Sequence, residues 1–115
     1  MVWLGQNSPR LSRIALTEIE DARNSLYVSA IIAWEFAELN ARGRFGADLK
    51  LGDLLKAYGV EVLSLPAELW CLAEALPPIH RDPVDRMLVA HALHADMTVV
   101  TADRAIRDYP IATLW

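Results

Sequence analysis

Glu35 lies in register with Ile31, Ile32 and Leu39 on one face of a helical stretch. A carboxylate on an apolar stripe is costly unless it is paired or binds a cation. Three residues on, Glu38 stands four positions before Arg42, the spacing of a surface ion pair, and marks the solvated face instead. In Asp82-Pro83-Val84-Asp85 an aspartate, a proline and a second acid three positions later form a helix-start signature, so capping accounts for Asp82. Asp85 is different: Leu88, Val89, Ala92 and Leu93 continue its face, which places it at the inward edge of the helix start, where the helix dipole favours the ionised form. Asp103 follows the run Thr98-Val99-Val100-Thr101 by two residues. It stands just beyond a strand, or it caps the short helix through Ile106; the residues support both readings equally. Glu35, Asp85 and Asp103, without cysteine or paired histidine ligands beside them, suit a hard divalent ion, Mg2+ or Mn2+.

The other reactive side chains weigh less. His91 and His94 are three apart on a helix, but no third ligand completes a zinc pattern, and they read as surface or rim residues. His80 and Arg81 precede the acidic pair and either touch a phosphate or sit in an exposed loop. The single cysteine, Cys71, forms no internal disulfide, and among Leu69, Trp70 and Leu72 it reads as a buried core thiol.

The elements that must carry these residues alternate. Ser12 caps a helix that turns Ile14, Ile19 and Ala22 inward and ends near Asn24; Leu26 to Ile31 reads as a buried strand; Ala33 to Arg42 is helical, with Gly43 as a left-handed cap. A helix from Leu51 to Tyr58 stops at Gly59, Val60 to Leu65 is a strand, and Pro66 opens a helix that Pro77-Pro78 ends. A long helix from Pro83 to about Ala95 leads into a strand from Met97 to Thr101, a short helical turn and a last strand, Ile111 to Trp115. This order predicts an α/β fold with a mostly parallel sheet and helices on both faces. In such sheets chemistry gathers at the carboxyl ends of the strands, so the junctions that carry Glu35, Asp85 and Asp103 should share one rim. Neither Gly-x-Gly-x-x-Gly nor a phosphate-loop signature is present.

Composition bounds the partners. The chain has 115 residues, enough for one compact domain, and is 54% hydrophobic, which argues for strands buried on both faces. Its net charge of −4 has the wrong sign for gripping nucleic acid by bulk electrostatics, so any such activity must use local arginines or bound cations. No run approaches the roughly 18 apolar residues of a membrane span, and the first residues lack the basic and apolar regions of a signal peptide. The expected compartment is cytoplasmic.

Four segments carry a family resemblance: Pro9-Arg10-Leu11-Ser12; Val28-Ser29-Ala30 with Trp34-Glu35; His80 through Ala90; and Val99-Val100-Thr101-Ala102-Asp103. In order and spacing the chain resembles a PIN domain of the VapC type, the toxin half of a VapBC toxin–antitoxin pair, along nearly its whole length. The resemblance implies a single PIN-like domain over residues 1–115, with a three-layer α/β fold. It also implies an endoribonuclease dependent on Mg2+ or Mn2+, with RNA as substrate, an antitoxin as protein partner and a homodimer as assembly. Position by position, Glu35, Asp85 and Asp103 match the family's second, third and fourth acids as metal-holding catalytic residues, with Asp82, Thr101 and Arg81 as accessory positions. The family begins with an apolar strand ending in Asp-Thr-His or Asp-Ser-His, followed by a stretch like Val2-Trp3-Leu4. That first aspartate is absent from the sequence, which begins at Met1. The expectation is a chain short of one central strand and one ligand. An active RNA-cleaving toxin and a crippled PIN scaffold that binds an antitoxin or regulatory partner therefore both remain open. A metal-dependent phosphohydrolase on a related sheet lacks a visible aspartyl-nucleophile motif.

Overall fold

A computed structural model describes residues 10–115; the Val2-Trp3-Leu4 stretch and Pro9 lie outside the described residues. The chain divides into two compact units, the first running to Leu63 and the second spanning Ser64–Trp115.

The first unit begins with α1 (Arg13–Glu20), β1 (Leu26–Ser29) and α2 (Ala30–Ala41), and closes with α3 (Leu51–Tyr58) and β2 (Val60–Leu63). Ser12 caps α1, its hydroxyl accepting from the Ala15 amide at 3.0 Å. The helix stops at Glu20 rather than near Asn24, because Asp21 turns extended and its carboxylate accepts from the Arg23 amide at 2.9 Å. Its inward face also differs from the expected one. Ala15 is buried, Leu16 and Ile19 are half-buried, Ile14 is exposed, and Ala22 lies beyond the helix in solvent.

The strand expected over Leu26 to Ile31 ends at Ser29, and α2 begins at once with Ala30. The β-branched Ile31 and Ile32 are taken into the helix, an ordinary override of local propensity by tertiary context. Gly43 adopts φ +76° beyond the end of α2, and Gly59 caps α3 at φ +61°; both are left-handed positions that glycine adopts without a Cβ penalty. β1 and β2 pair in parallel, Leu26 opposite Val60 through Ser29 opposite Leu63, and α2 and α3 supply the crossover that a parallel pair needs. Ala15, Val28, Phe36 and Leu54 are the buried apolar residues among the described residues of this unit, and the Phe36 ring stacks on Phe45 with centroids 4.9 Å apart.

The second unit holds α4 (Leu69–Ala75), α5 (Pro83–Ala95), β3 (Val99–Val100), α6 (Arg104–Arg107) and β4 (Thr113–Leu114). Pro66 does not open α4 directly; its carbonyl first accepts from the Leu69 amide in a turn. Asp82 caps α5 and Pro83 takes its first position, where a missing amide hydrogen leaves nothing unsatisfied. At the far end Asp96 turns left-handed, and the Met97 amide still bonds back to Ala92, so the strand starts later than Met97. β3 pairs in parallel with β4, Val99 opposite Thr113. The core of this unit gathers Leu69, Leu76, Val89, Ala90, Ala92, Val99, Ile106 and Tyr109.

Two side chains sit differently from their sequence readings. Cys71 is exposed. On α4 the helical repeat sends Leu69 and Leu72–Ala73 inward and turns Trp70 and Cys71 out, so apolar neighbours in sequence are not neighbours on a face. His91 is buried, not on the rim: it lies in a turn of α5 where Val89, Ala90 and Ala92 are also covered, and burial, followed by the nearby His94, pushes its pKa down toward the neutral form.

Among the described residues, helices singly or in pairs separate the strands of short parallel ladders, which makes the chain an α/β protein. Burial on both strand faces holds for Val28 and Val99 but not for Tyr27, Val62 or Val100, which are exposed among the described residues. Among the described residues no helix is long and apolar enough to cross a membrane.

Candidate metal centre

In the second unit the start of α5 and the carboxyl end of β3 bring two acids to one point. Asp82 spends its Oδ1 on the Val84 amide at 2.8 Å, the expected cap, which leaves Asp85 as the acid in the first turn of α5. Just after β3 the Thr101 hydroxyl accepts from the Asp103 amide at 3.1 Å, fixing the turn. Asp103 then caps α6, its Oδ1 accepting from the amides of Ala105 at 2.8 Å and Ile106 at 3.3 Å. The cap role weighed for Asp103 is therefore filled by its Oδ1, while its Oδ2 points elsewhere, to His80.

His80 Nε2 lies 3.0 Å from Asp103 Oδ2 and 3.2 Å from Asp85 Oδ2. One ring nitrogen thus spans both carboxylates. The loop that carries it is pinned: the His80 amide donates to the Tyr109 hydroxyl at 2.9 Å, and the Asp82 amide donates to His80 Nδ1 at 3.0 Å. Of the two candidate histidine roles, the exposed loop is therefore set aside for His80. Arg81 beside it is exposed.

Arg86 braces this loop from the other side. Its Nη2 donates to the carbonyls of Ala73 at 2.8 Å and Leu76 at 3.2 Å, and its Nη1 to the carbonyl of Pro77 at 3.0 Å and the Tyr109 hydroxyl at 3.2 Å. Carbonyls at the carboxyl end of a helix have no partner within it, and Pro77-Pro78 supply no amide hydrogen to cap α4. The guanidinium fork fills that gap. Arg86→Ala should destabilise the protein by about 2–4 kcal/mol, since several carbonyls and a buried hydroxyl lose a charged donor together. The check is a lower urea midpoint at unchanged slope. Arg86→Lys should recover only a small part of it, because an ammonium cannot fork.

The electrostatics follow from these contacts. Burial, then repulsion from Asp82 and Asp103, raises the pKa of Asp85 although His80 pulls it down. Burial would raise Asp103 as well, but the His80 hydrogen bond and the amides of Ile106 and Ala105 outweigh it and hold that carboxyl below its usual range. For His80 the Asp103 hydrogen bond raises the pKa against burial, with the charges of Asp85, Asp103 and Asp82 adding to the rise. The Asp82 amide opposes this, because it needs a lone pair on Nδ1 that an imidazolium lacks.

Asp85 and Asp103, two of the three acids that the sequence reading sets on one rim, therefore come together, with His80 as a third member. Glu35 belongs to the first unit: it is half-buried on α2, as are Ile31, Ile32 and Leu39. Glu38 is exposed and lies 3.8 Å from Arg42, the surface pair its spacing predicts. The roles of Arg86 and Tyr109 escaped the sequence reading. For Arg86 a signal existed, since a helix cut off by two prolines leaves carbonyls in need of a donor. A concavity of about 450 Å3 in the first unit lies at the amino ends of β1 and β2, among Glu20, Asp21, Tyr27 and Glu61.

The donor set is one a hard cation fits. Two carboxylate oxygens face one point, and one of them belongs to an acid whose ionised form is destabilised by burial and like charge, which a divalent ion would relieve. In a comparison with protein families, residues 1–112 match the PIN domain. No curated protein matches the sequence.

Proposed function

The chain belongs to the PIN-domain family, whose members are generally nucleases and often depend on metals, and on that premise we propose a divalent-metal-dependent endoribonuclease of the VapC type. In this reading it is the toxin of a type II toxin–antitoxin pair, acts on RNA in the cytoplasm, pairs with a second copy of itself and is restrained by a cognate antitoxin. Residues 1–115 are read as one PIN-like domain with the three-layer arrangement of that family. The observation that carries the nuclease reading is the approach of Asp85 Oδ2 and Asp103 Oδ2 to the same ring nitrogen, at 3.2 and 3.0 Å.

Asp85 and Asp103 are the ligands proposed for Mg2+ or Mn2+. Bound there, the ion would orient water and offset charge on the phosphate during phosphodiester hydrolysis. Asp103 is held in place through Oδ1 by two amides, and Thr101 fixes the turn before it, so its Oδ2 keeps a defined direction. Asp82 supports the site as the cap of α5. Glu35 is proposed as a further ligand on the strength of the family match in its segment, and Arg81 as an accessory contact to the phosphate backbone. With a net charge of −4 overall, RNA must be met by such local cations and by the bound ion.

The test is cleavage of end-labelled RNA with Mn2+, with Mg2+ and with a chelator. Metal-dependent endonucleolytic products are expected, suppressed by the product of an adjacent small antitoxin frame. Divalent-ion binding without any cleavage would turn the reading to a PIN scaffold that binds an antitoxin or regulatory partner. No binding and no cleavage would sink the enzyme reading.

A further inference from the structure

Among the described residues the metal-ligating types that come together are His80, Asp85 and Asp103, with ligand atoms all within 4.8 Å of one another. Residue types alone suggest a three-ligand set with one nitrogen. The hydrogen bonds around the imidazole argue otherwise.

A backbone amide is always a donor. The amide of Asp82 points at His80 Nδ1 from 3.0 Å, so that nitrogen must present its lone pair. A neutral imidazole carries a single N–H, which is then on Nε2. There it donates to Asp103 Oδ2 at 3.0 Å, and Asp85 Oδ2 lies 3.2 Å from the same nitrogen. Every donor in this chain meets an acceptor. Ligation of a metal through Nε2 would move the proton to Nδ1 and set it against the Asp82 amide, donor facing donor. That amide is not free to turn away: Asp82 is the cap of α5, with Pro83 next and its own carboxylate on the Val84 amide, and the His80 backbone is tied to Tyr109.

We infer that His80 is a positioning residue and not a metal ligand, with the Asp82 amide fixing its tautomer so that Nε2–H holds the Asp103 carboxylate and spaces it from that of Asp85. The inference rests on the reading of those two acids as ligands. In it, the histidine sets where they stand before an ion arrives and stays a donor afterwards. A histidine ligand would draw the site toward softer ions; a histidine donor leaves it all-oxygen.

The experiment is a long-range proton–nitrogen correlation spectrum of the histidine-15N-labelled protein, recorded first without metal and then with MgCl2. A pyrrole-type Nε2 and a pyridine-type Nδ1 on His80 are expected in both states. A pyridine-type Nε2 in either state overturns the inference. Calorimetry with MnCl2 adds the functional arm. His80→Gln, which restores an N–H donor, should keep the affinity within about threefold, whereas His80→Phe, which keeps the ring but offers no donor, should weaken it about tenfold or more. Unchanged affinity in His80→Phe, or equal losses in the two variants with the fold intact by circular dichroism, also overturns it. If the unsubstituted protein gives no manganese signal while its metal-free spectrum shows Nε2–H, the metal chemistry of the preceding section fails and the donor assignment holds.

Discussion

Asp85→Asn is expected to reduce divalent-ion binding and RNA cleavage by about 100-fold or more while making the metal-free protein more stable. The two effects have one origin. The Asp85 carboxyl is largely covered, and burial, then the charges of Asp82 and Asp103, disfavour its ionised form beyond what His80 returns. A carboxylate in that position is poorly placed for folding and well placed for a cation. An amide keeps the shape of the side chain and removes the charge. The sign with pH follows from the raised pKa. The folded state binds the Asp85 proton more tightly than the unfolded chain does, so its stabilising contribution is complete below the ordinary carboxylate range and is lost as pH rises through the folded value. The advantage of the asparagine variant should therefore be absent in acid and develop toward neutral pH, reaching about 2–5 °C in melting temperature. Melts of both proteins with chelator across that range, beside manganese calorimetry, are the measurement. A variant that melts lower at neutral pH would show that Asp85 is held by partners that reward its charge, and a variant that still binds manganese would remove it from the site.

The parts of the molecule that were legible beforehand are those governed by local rules. Asp82-Pro83 and Gly59 are capping chemistry, and α3 and α5 run where the capping residues put them. The convergence of Asp85 with Asp103 followed from a topological rule, that residues beyond strand ends and at helix starts meet on one side of a parallel sheet. Less legible were properties set by what covers a residue. Cys71 and His91 exchanged their expected environments because exposure depends on which face of α4 and α5 the rest of the unit packs against. Strand ends were also misjudged, since β-branched Ile31 and apolar Met97 adjoin strand residues but take their backbone partners from helices. His80 falls between these cases. Its place next to Asp82 was visible, but its role depends on the direction of one amide and on a tyrosine 29 positions away in sequence.

Glu35→Gln should lower RNA cleavage by about 100-fold or more, and Glu38→Gln should leave it within about twofold. The two acids share a helix and lie one turn apart, so helix propensity and net charge change equally in the two variants and only surroundings separate them. Glu38 is exposed, and its partner Arg42 is 3.8 Å away with its own side chain mostly in water. Such a pair contributes at most about 1 kcal/mol. Glu35 is half-buried in the second turn of α2, next to the fully covered Phe36, on a helix that begins at the residue after β1 ends. Glutamine keeps the shape of Glu35 and removes the charge that a cation at the proposed site would need. Glu35→Gln should retain the fold. The decisive comparison is single-turnover cleavage of labelled RNA at several Mn2+ concentrations, with circular dichroism on each variant. If Glu35 is a ligand, its loss should be partly recovered at high metal concentration, because weaker binding is overcome by mass action. Equal cleavage by the two variants would remove Glu35 from the proposed site and leave Asp85 and Asp103 as the acids on which the nuclease reading depends.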